Sequence, residues 1–209
     1  MEITWYGLSC FRITERKYAS VVTDPFNGKI GLPPLKLKSD VVTISHEAPG
    51  HSHVDAVANY QHALQGPGEY EIGNVFITGI TTRNGAESAG NVAYLLNFDS
   101  ISVVHLGDIQ KVPTQTQLEA LEQVNILLVP VGGGNSLNAS KAAEIVSMLE
   151  PNIVIPMHYQ LPSLKVDLEG VERFLKEMGV TEPTEEASLK IAASNLPEET
   201  ETVILVPKG

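Results

Sequence analysis

The sequence predicts a layered α/β protein in which two sheets are covered by helices. Three observations predict it. The first half is a series of short β-branched or apolar runs punctuated by Gly, Pro, Asn and Asp. The second half alternates such runs with segments of helical apolar spacing. Histidines and an aspartate follow several of the runs, and strand ends converge in folds of this class.

Taken in order, strands are expected at Ile3 to Tyr6, Cys10 to Thr14, Ser20 to Thr23, Val41 to Ser45, Val75 to Ile80, Val92 to Asn97 and Ile101 to His105. The Gly-, Pro- and Lys-rich stretch from Asn27 to Lys38 reads as a loop, and Val54 to Val57 as a helix start. Thr114-Gln115-Thr116-Gln117 has the capping-box pattern, and Leu118 and Leu121 give the helix it opens an apolar side. Ile126 to Val131 is a continuous apolar run suited to a buried strand, which Gly132-Gly133-Gly134 breaks. Ala142, Ile145, Val146 and Leu149 share one helical face, and Pro151 stops that helix. Ile153 to Pro156 is the next strand. Asp167 is a candidate N-cap for a helix carrying Val171, Phe174, Leu175 and Met178, with Gly179 as its C-cap. Thr202 to Val206 closes the chain as a strand.

The chain has 209 residues and no linker, low-complexity tract or internal repeat, so residues 1–209 are expected to form one domain. A chain of this size hides roughly 70% of its unfolded surface. The net charge of −11 argues against sequence-independent nucleic-acid binding, which needs Lys and Arg to displace counterions. It also disfavours anionic membrane surfaces, and no apolar stretch approaches a membrane span. A small anionic substrate held by a metal stays possible. Met1-Glu2-Ile3-Thr4-Trp5 lacks the basic and apolar regions of a signal peptide, so a cytoplasmic protein is expected. The single cysteine, Cys10, lies in an apolar strand setting and reads as a core residue rather than a nucleophile. Homo-oligomerisation is left open.

The chemistry centres on His46-Glu47-Ala48-Pro49-Gly50-His51, which follows the apolar run Asp40 to Ser45. Asp108 follows Ile101 to Val104, and His158 follows Ile153 to Pro156. His46, His51, Asp108 and His158 thus lie at three strand ends. Three imidazoles and a carboxylate suit Zn²⁺, and also Mn²⁺ or Fe²⁺.

The ordered motifs make a resemblance specific. Thr4-Trp5-Tyr6-Gly7-Leu8-Ser9-Cys10-Phe11, Thr23-Asp24-Pro25-Phe26, Gly66-Pro67-Gly68-Glu69-Tyr70-Glu71, Asn91-Val92-Ala93-Tyr94, His105-Leu106-Gly107-Asp108, Pro130-Val131-Gly132-Gly133 and Ile155-Pro156-Met157-His158-Tyr159 follow one another along the chain. Together they resemble the metallo-β-lactamase superfamily, in its L-ascorbate-6-phosphate-lactonase-like branch. The resemblance implies a four-layer αββα sandwich with a metal site on one edge of the two sheets. It makes His46 and His51 the outer ligands of the family's H-x-H-x-D-H loop. It makes Asp108 the catalytic carboxylate that bridges two metals, and His158 the last histidine ligand. It gives Asp24 and His105 supporting roles behind the ligands.

The departures lie in the same loop. Ala48 replaces a histidine of the first metal, and Gly50 replaces the aspartate that binds the second metal and orients water. Leu8 stands where relatives often carry His, and residues 81–85 supply none. A two-metal site is therefore not expected. One ion on His51, Asp108 and His158, joined by His46, is. Glu47 and His53 are the nearest substitutes for the lost carboxylate, although a solvated loop residue is the simpler reading of both. His53 opens the helix start, which turns it away from His51. His62 reads as structural or exposed. Glu69 and Glu71 share one strand face and read as structural before catalytic. Gly132-Gly133-Gly134 lacks the Lys-Ser/Thr of a phosphate loop and reads as a tight turn.

Two functions follow. One is a metal-dependent hydrolase of an ester, lactone or phosphodiester bond with an eroded site holding at most one ion. The other is an inactive binding or scaffolding protein that keeps the fold.

Overall fold

A computed structural model describes residues 1–82, 90–121 and 123–209. Along the chain run β1 (Glu2–Gly7), β2 (Cys10–Thr14), β3 (Val21–Thr23), β4 (Leu37–Lys38), β5 (Val41–Ile44), β6 (Val57–Ala58) and β7 (His62–Gln65). There follow β8 (Gly68–Ile72), β9 (Val75–Thr81), β10 (Val92–Asn97), β11 (Ser102–His105), α1 (Gln115–Ala120), β12 (Ile126–Pro130) and α2 (Ala139–Leu149). The chain ends with β13 (Ile153–Met157), α3 (Glu172–Glu177), β14 (Thr184–Glu186), β15 (Leu189–Lys190) and β16 (Glu201–Leu205). The first sheet has the order β15-β1-β2-β3-β5-β7, and the second β14-β16-β13-β12-β11-β10-β9-β8. The strands β4 and β6 form a small parallel pair beside them. This is the α/β architecture of mixed sheets with helices that the sequence predicts.

Periodicity decides which strands are central. β1 alternates exposed and buried residues, as a strand with one solvated face does. β11, β12 and β13 are buried at every position, and they pair in parallel in the middle of the second sheet. Each fully buried Ile, Leu or Val there contributes about 1.5–3 kcal/mol. β3, β5 and β7 are parallel in the first sheet. The carboxyl ends of both parallel sets are where ligands bind in open α/β sheets.

The Tyr94 side chain is one tie between the two sheets. The Tyr94 hydroxyl, on β10, lies 3.0 Å from the Leu64 carbonyl and 3.1 Å from that of Ile44. Between the sheets an aromatic series runs from Tyr159 through Trp5 and Phe11 to His105, with neighbouring ring centroids 5.2–6.2 Å apart. Cys10 is fully buried among these core residues, and burial raises its thiol pKa well above the usual value.

The helices bear out the capping box at Thr114, whose side chain and that of Gln117 each bond the other's backbone. They also bear out the α2 face, with Ala142, Ile145 and Val146 buried. Gly179, at φ +69, closes α3 as expected, and the Val180 N–H bonds the Leu175 carbonyl at 2.8 Å. The start of α3 differs from expectation. Asp167 is not its N-cap, because the helix begins at Glu172 with no side-chain cap. Residues 167–170 are taken by tertiary bonds instead: the Glu169 N–H donates to the Gly132 carbonyl at 2.8 Å, and the Leu168 N–H to Gln160 at 3.1 Å. The expected helix at Val54 is a single 3-10 turn, Val54–Ala56, that leads into β6. The loop Asn27 to Lys38 contains a second such turn and β4. No helix among the described residues is long and apolar enough to cross a membrane.

Candidate metal centre

All four expected donors come to one edge of the two sheets. β5 runs directly into Ser45 and His46, and a tight turn returns His51, whose N–H donates to the Ala48 carbonyl at 2.9 Å. β11 delivers Asp108 through the turn Leu106–Gly107, and β13 delivers His158. Close approach requires glycine at two points. A Cβ on Gly107 would lie 2.5 Å from both Asn91 Oδ1 and Ser45 Cβ. A Cβ on Gly132 would lie 2.3 Å from the carbonyl oxygen of His158, which accepts the Gly132 N–H at 3.0 Å.

The backbone is held in unusual conformations here. Leu8, Asp24 and His158 all have positive φ, at +45°, +40° and +53°. Such conformations persist only where the surroundings over-determine them. The Leu8 carbonyl accepts from the Trp5 indole at 2.9 Å and from the His158 N–H at 3.1 Å, and the Asp24 N–H donates to Thr43 at 2.9 Å.

Asp108 is the hub. Its Oδ2 lies 3.3 Å from His51 Nε2 and 3.7 Å from His46 Nε2, and its Oδ1 lies 3.3 Å from His158 Nε2. His46, His51 and Asp108 each offer a ligand atom within 4.8 Å of the others. Among the described residues His158 stands outside that compact trio, on the opposite carboxylate oxygen. The compact trio includes His46, whereas the sequence-based set starts from His51, Asp108 and His158 and adds His46 to them.

Behind the donors lies Asp24, with no solvent exposure. Its Oδ1 accepts the Ser45 N–H at 2.7 Å, and its Oδ2 accepts the Ser45 hydroxyl at 2.5 Å and the His51 Nδ1–H at 3.0 Å. On the other side, Asn91 Oδ1 accepts the Asp108 N–H at 2.9 Å, while its amide donates to Leu106 at 2.9 Å and Thr82 at 2.8 Å. Ser45 Oγ is 3.0 Å from His46 Nδ1, and Ser136 Oγ is 3.4 Å from His158 Nδ1.

These contacts set the charges. Burial disfavours a charged His51, but Asp108 and Asp24 outweigh it and raise the pKa to about 10. Burial lowers the pKa of His46 and of His158, and the His51 charge adds to both effects. Burial also works against charge on Asp108, yet His51 and His158 hold its carboxyl well below the usual range.

The donor set fits a metal ion. With Nδ1–H given to Asp24, a neutral His51 points its Nε2 lone pair at a carboxylate oxygen. Two lone pairs at 3.3 Å repel unless a cation lies between them. A proton serves in the metal-free protein, and a divalent ion can take its place. Asp108 Oδ1 is buried without a hydrogen-bond partner, an orphan that an ion or its ligand sphere satisfies.

The remaining candidates lie elsewhere. His105 is fully buried and its Nε2 is 2.9 Å from the Ser9 carbonyl; its Nδ1 has no partner, so it bonds none of the four donors. Glu47 is exposed and accepts from the Gln65 amide at 2.9 Å. His53 precedes the 3-10 turn, with its N–H bonded to the Pro25 carbonyl. His62, Glu69 and Glu71 are exposed on β7 and β8. Where the loop has lost its carboxylate, the side chain of Leu8 lies 3.1 Å from the position of a Gly50 Cβ. Of residues 81–85, those at 83–85 lie outside the described residues. Sequence reasoning missed Ser45, Asn91 and Ser136 as supports. Adjacency to His46 is a signal for Ser45, and the Asn91 motif for Asn91; nothing local points to Ser136, which lies 22 residues from His158.

A profile of the beta-lactamase superfamily domain matches residues 2–158. A Thermotoga maritima structure assigned to the Zn-dependent hydrolases of the metallo-β-lactamase superfamily superposes with a TM-score of 0.80. It is 30% identical, over 98% of this chain and 97% of that one. A metal-dependent hydrolase of Methanopyrus kandleri is 26% identical over 216 residues, 86% of this chain and 94% of that one. One of Thermoplasma acidophilum is 25% identical over 189 residues, 76% of this chain and 83% of that one.

Proposed function

The chain belongs to the beta-lactamase superfamily, and from that premise we propose that it is a metal-dependent hydrolase working with a single ion. The observation that carries the reading is the convergence of His46, His51 and His158 Nε2 on one buried carboxylate, Asp108. His46, His51 and Asp108 Oδ2 would hold the ion, a trio that leaves a position open for water, as catalytic zinc sites do. When bound, Zn²⁺, Mn²⁺ or Fe²⁺ supplies Lewis acidity to a water or to an oxygen of the scissile bond. The bond would be an ester, lactone or phosphodiester.

The chain's own residues divide the remaining work. Asp24 accepts the Nδ1–H of His51 and so would leave its Nε2 to hold a bound ion. Asp108 spans the site, with Oδ2 on the side of the loop histidines and Oδ1 toward His158. His158 stands on that second oxygen, outside the trio.

A second reading, a catalytically inactive binding protein of the same fold, is favoured by three observations. Gly50 supplies no carboxylate, Glu47 bonds Gln65, and Asp24 is sealed beneath His51. Elemental analysis of protein purified without added metal separates the readings when paired with an assay on bis-p-nitrophenyl phosphate and simple lactones. A single equivalent of metal with turnover that chelation abolishes supports the hydrolase. Protein that holds no metal and gains none on titration with zinc, manganese or iron defeats it. Metal without turnover on any of these substrates favours the inactive protein.

A further inference from the structure

We propose that Trp5 is a positioning residue for His158: its indole anchors the Leu8 carbonyl, which in turn holds the backbone of that histidine beside Asp108. This rests on the metal-centre reading above, but the contact itself can be read without metal.

His158 depends on its neighbours for its backbone. It follows β13 at a φ of +53°, a left-handed conformation that persists only where the surroundings over-determine it. Both of its backbone polar groups are held. Its carbonyl accepts the Gly132 N–H at 3.0 Å, within the second-sheet side of the site. Its N–H crosses to the first sheet and donates to the Leu8 carbonyl at 3.1 Å, in the turn that joins β1 to β2. The ring leaves from that backbone, so the 3.3 Å approach of its Nε2 to Asp108 Oδ1 depends on both bonds. Leu8 is itself left-handed, at φ +45°, so its carbonyl needs an anchor of its own.

Trp5 supplies that anchor. An indole N–H only donates, and a carbonyl oxygen has two lone pairs to accept with. Trp5 Nε1 donates to the Leu8 carbonyl at 2.9 Å, so one oxygen gathers the indole and the His158 N–H. The same ring packs against Tyr159, the residue after His158, with centroids 5.2 Å apart. Trp5 is fully buried, so its N–H has no water as an alternative partner. The next carbonyl of the turn is used in the same way. Ser9 accepts the Thr23 hydroxyl at 2.8 Å, one residue before Asp24, and lies 2.9 Å from His105 Nε2, at the end of the strand that leads to Asp108. The turn thus offers two carbonyls to which the other strand ends are bonded, and Trp5 holds the one that serves His158.

The sequence makes a clean test possible, because Trp5 is the only tryptophan and Cys10 the only cysteine. A synthetic segment 1–9 can be ligated at Cys10 to an expressed, ¹⁵N-labelled segment 10–209, which rebuilds the full chain. In one such chain Trp5 is replaced by 3-benzothienylalanine, whose sulfur keeps the shape of the indole but donates no hydrogen. Trp5→Phe is the encoded companion, and a ligated chain with Trp5 itself is the parent. In metal-free protein the His158 amide resonance should move and its exchange with solvent should quicken, while the amides of His46 and His51 stay in place. Zinc affinity, read by competition with a chelator where every chain is folded, should fall by up to about 10-fold, the low end for groups that orient a site from behind. If Trp5→Phe fails to fold, the isosteric chain decides. A lower denaturation midpoint with the His158 amide unmoved would make Trp5 a core residue only and overturn the proposal. So would unchanged zinc affinity in a series whose parent binds zinc. A moved His158 amide in chains of which none takes up zinc, the parent included, leaves the Trp5 contact standing and removes only the metal reading.

Discussion

The two sides of the site hold their donors by different physics. On the first-sheet side, the buried charge of Asp24 anchors Ser45, and with it both His46 and His51. On the second-sheet side, neutral groups do the holding: the Asn91 amide fixes Asp108, and a backbone carbonyl backs Ser136 and His158. The difference is visible in the histidines. His51, between two carboxylates, is pushed up to about 10, whereas burial moves His158 down. A charged clamp gives more orientation but also binds a proton that a metal must displace. A neutral clamp gives less force and no such competition.

The largest test of that contrast is Asp24→Asn. The three groups around Asp24 all donate to it, so an amide NH₂ would face a donor whichever way it turned. Loss of a buried charge partner costs about 3 kcal/mol or more, read by chemical denaturation in the presence of chelator. Zinc affinity should fall 10–100-fold. A variant as stable and as tight as the parent would remove the charged clamp as a distinct device.

Next is the pH dependence of the metal-free protein. His51 has a folded pKa raised from 6.5 to about 10. Its contribution is present in full below 6.5 and is lost as pH rises through about 10. In that window the folded state binds one more proton than the unfolded chain. Stability should therefore fall by up to about 1.4 kcal/mol per pH unit. Denaturation midpoints between pH 7 and 9.5 measure it, and Asp24→Asn should flatten the slope. A flat profile in the parent would mean that His51 is not charged between the carboxylates.

The neutral side has its own counterpart in Asn91→Ala. It leaves the Asp108 N–H and the Leu106 carbonyl without their partner, a cost of about 1–3 kcal/mol. Zinc affinity should drop because Asp108 is less well placed, while the His51–Asp24 bond and the alkaline slope survive. If the slope disappeared too, the two clamps would be one coupled network.

How much of this was legible in the sequence follows the same divide. The central strands and the four candidate donors were readable because apolar runs and the residues that follow them are local signals, whereas the short or polar strands β4, β6, β7, β14 and β15 carry no such run and were not expected. His46 stands directly after such a run and Asp108 a short turn after one, and the structure brings both together. Asp24 was legible only through the motif around it. On the neutral side Asn91 lay within a motif, but Ser136 was not readable, because it reaches His158 across a Gly-rich turn whose path is set by tertiary contacts. The start of α3 failed for a similar reason. Asp167 had the right composition for a cap, but the backbone around it bonds Gly132 and Gln160 instead. The balance between His46 and His158 also could not be read, since it depends on which carboxylate oxygen each ring meets.

The smallest expected effect comes from adding charge to the side that already has it. In Gly50→Asp the new Cβ meets only Leu8 Cδ1, at 3.1 Å, so the flexible end of Leu8 must give by a few tenths of an ångström. Gly50 is not among the residues with positive φ, so the backbone accepts the change. The cost should be about 1 kcal/mol, mostly from placing a carboxylate against an apolar side chain. Turnover on bis-p-nitrophenyl phosphate should not rise while Leu8 occupies that space. Cutting Leu8 back to Ala in the same chain should relieve the contact, and any gain in turnover is expected only in the double variant. A gain from Gly50→Asp alone would show that the missing carboxylate, and not the apolar packing of Leu8 behind it, is what limits the first-sheet side.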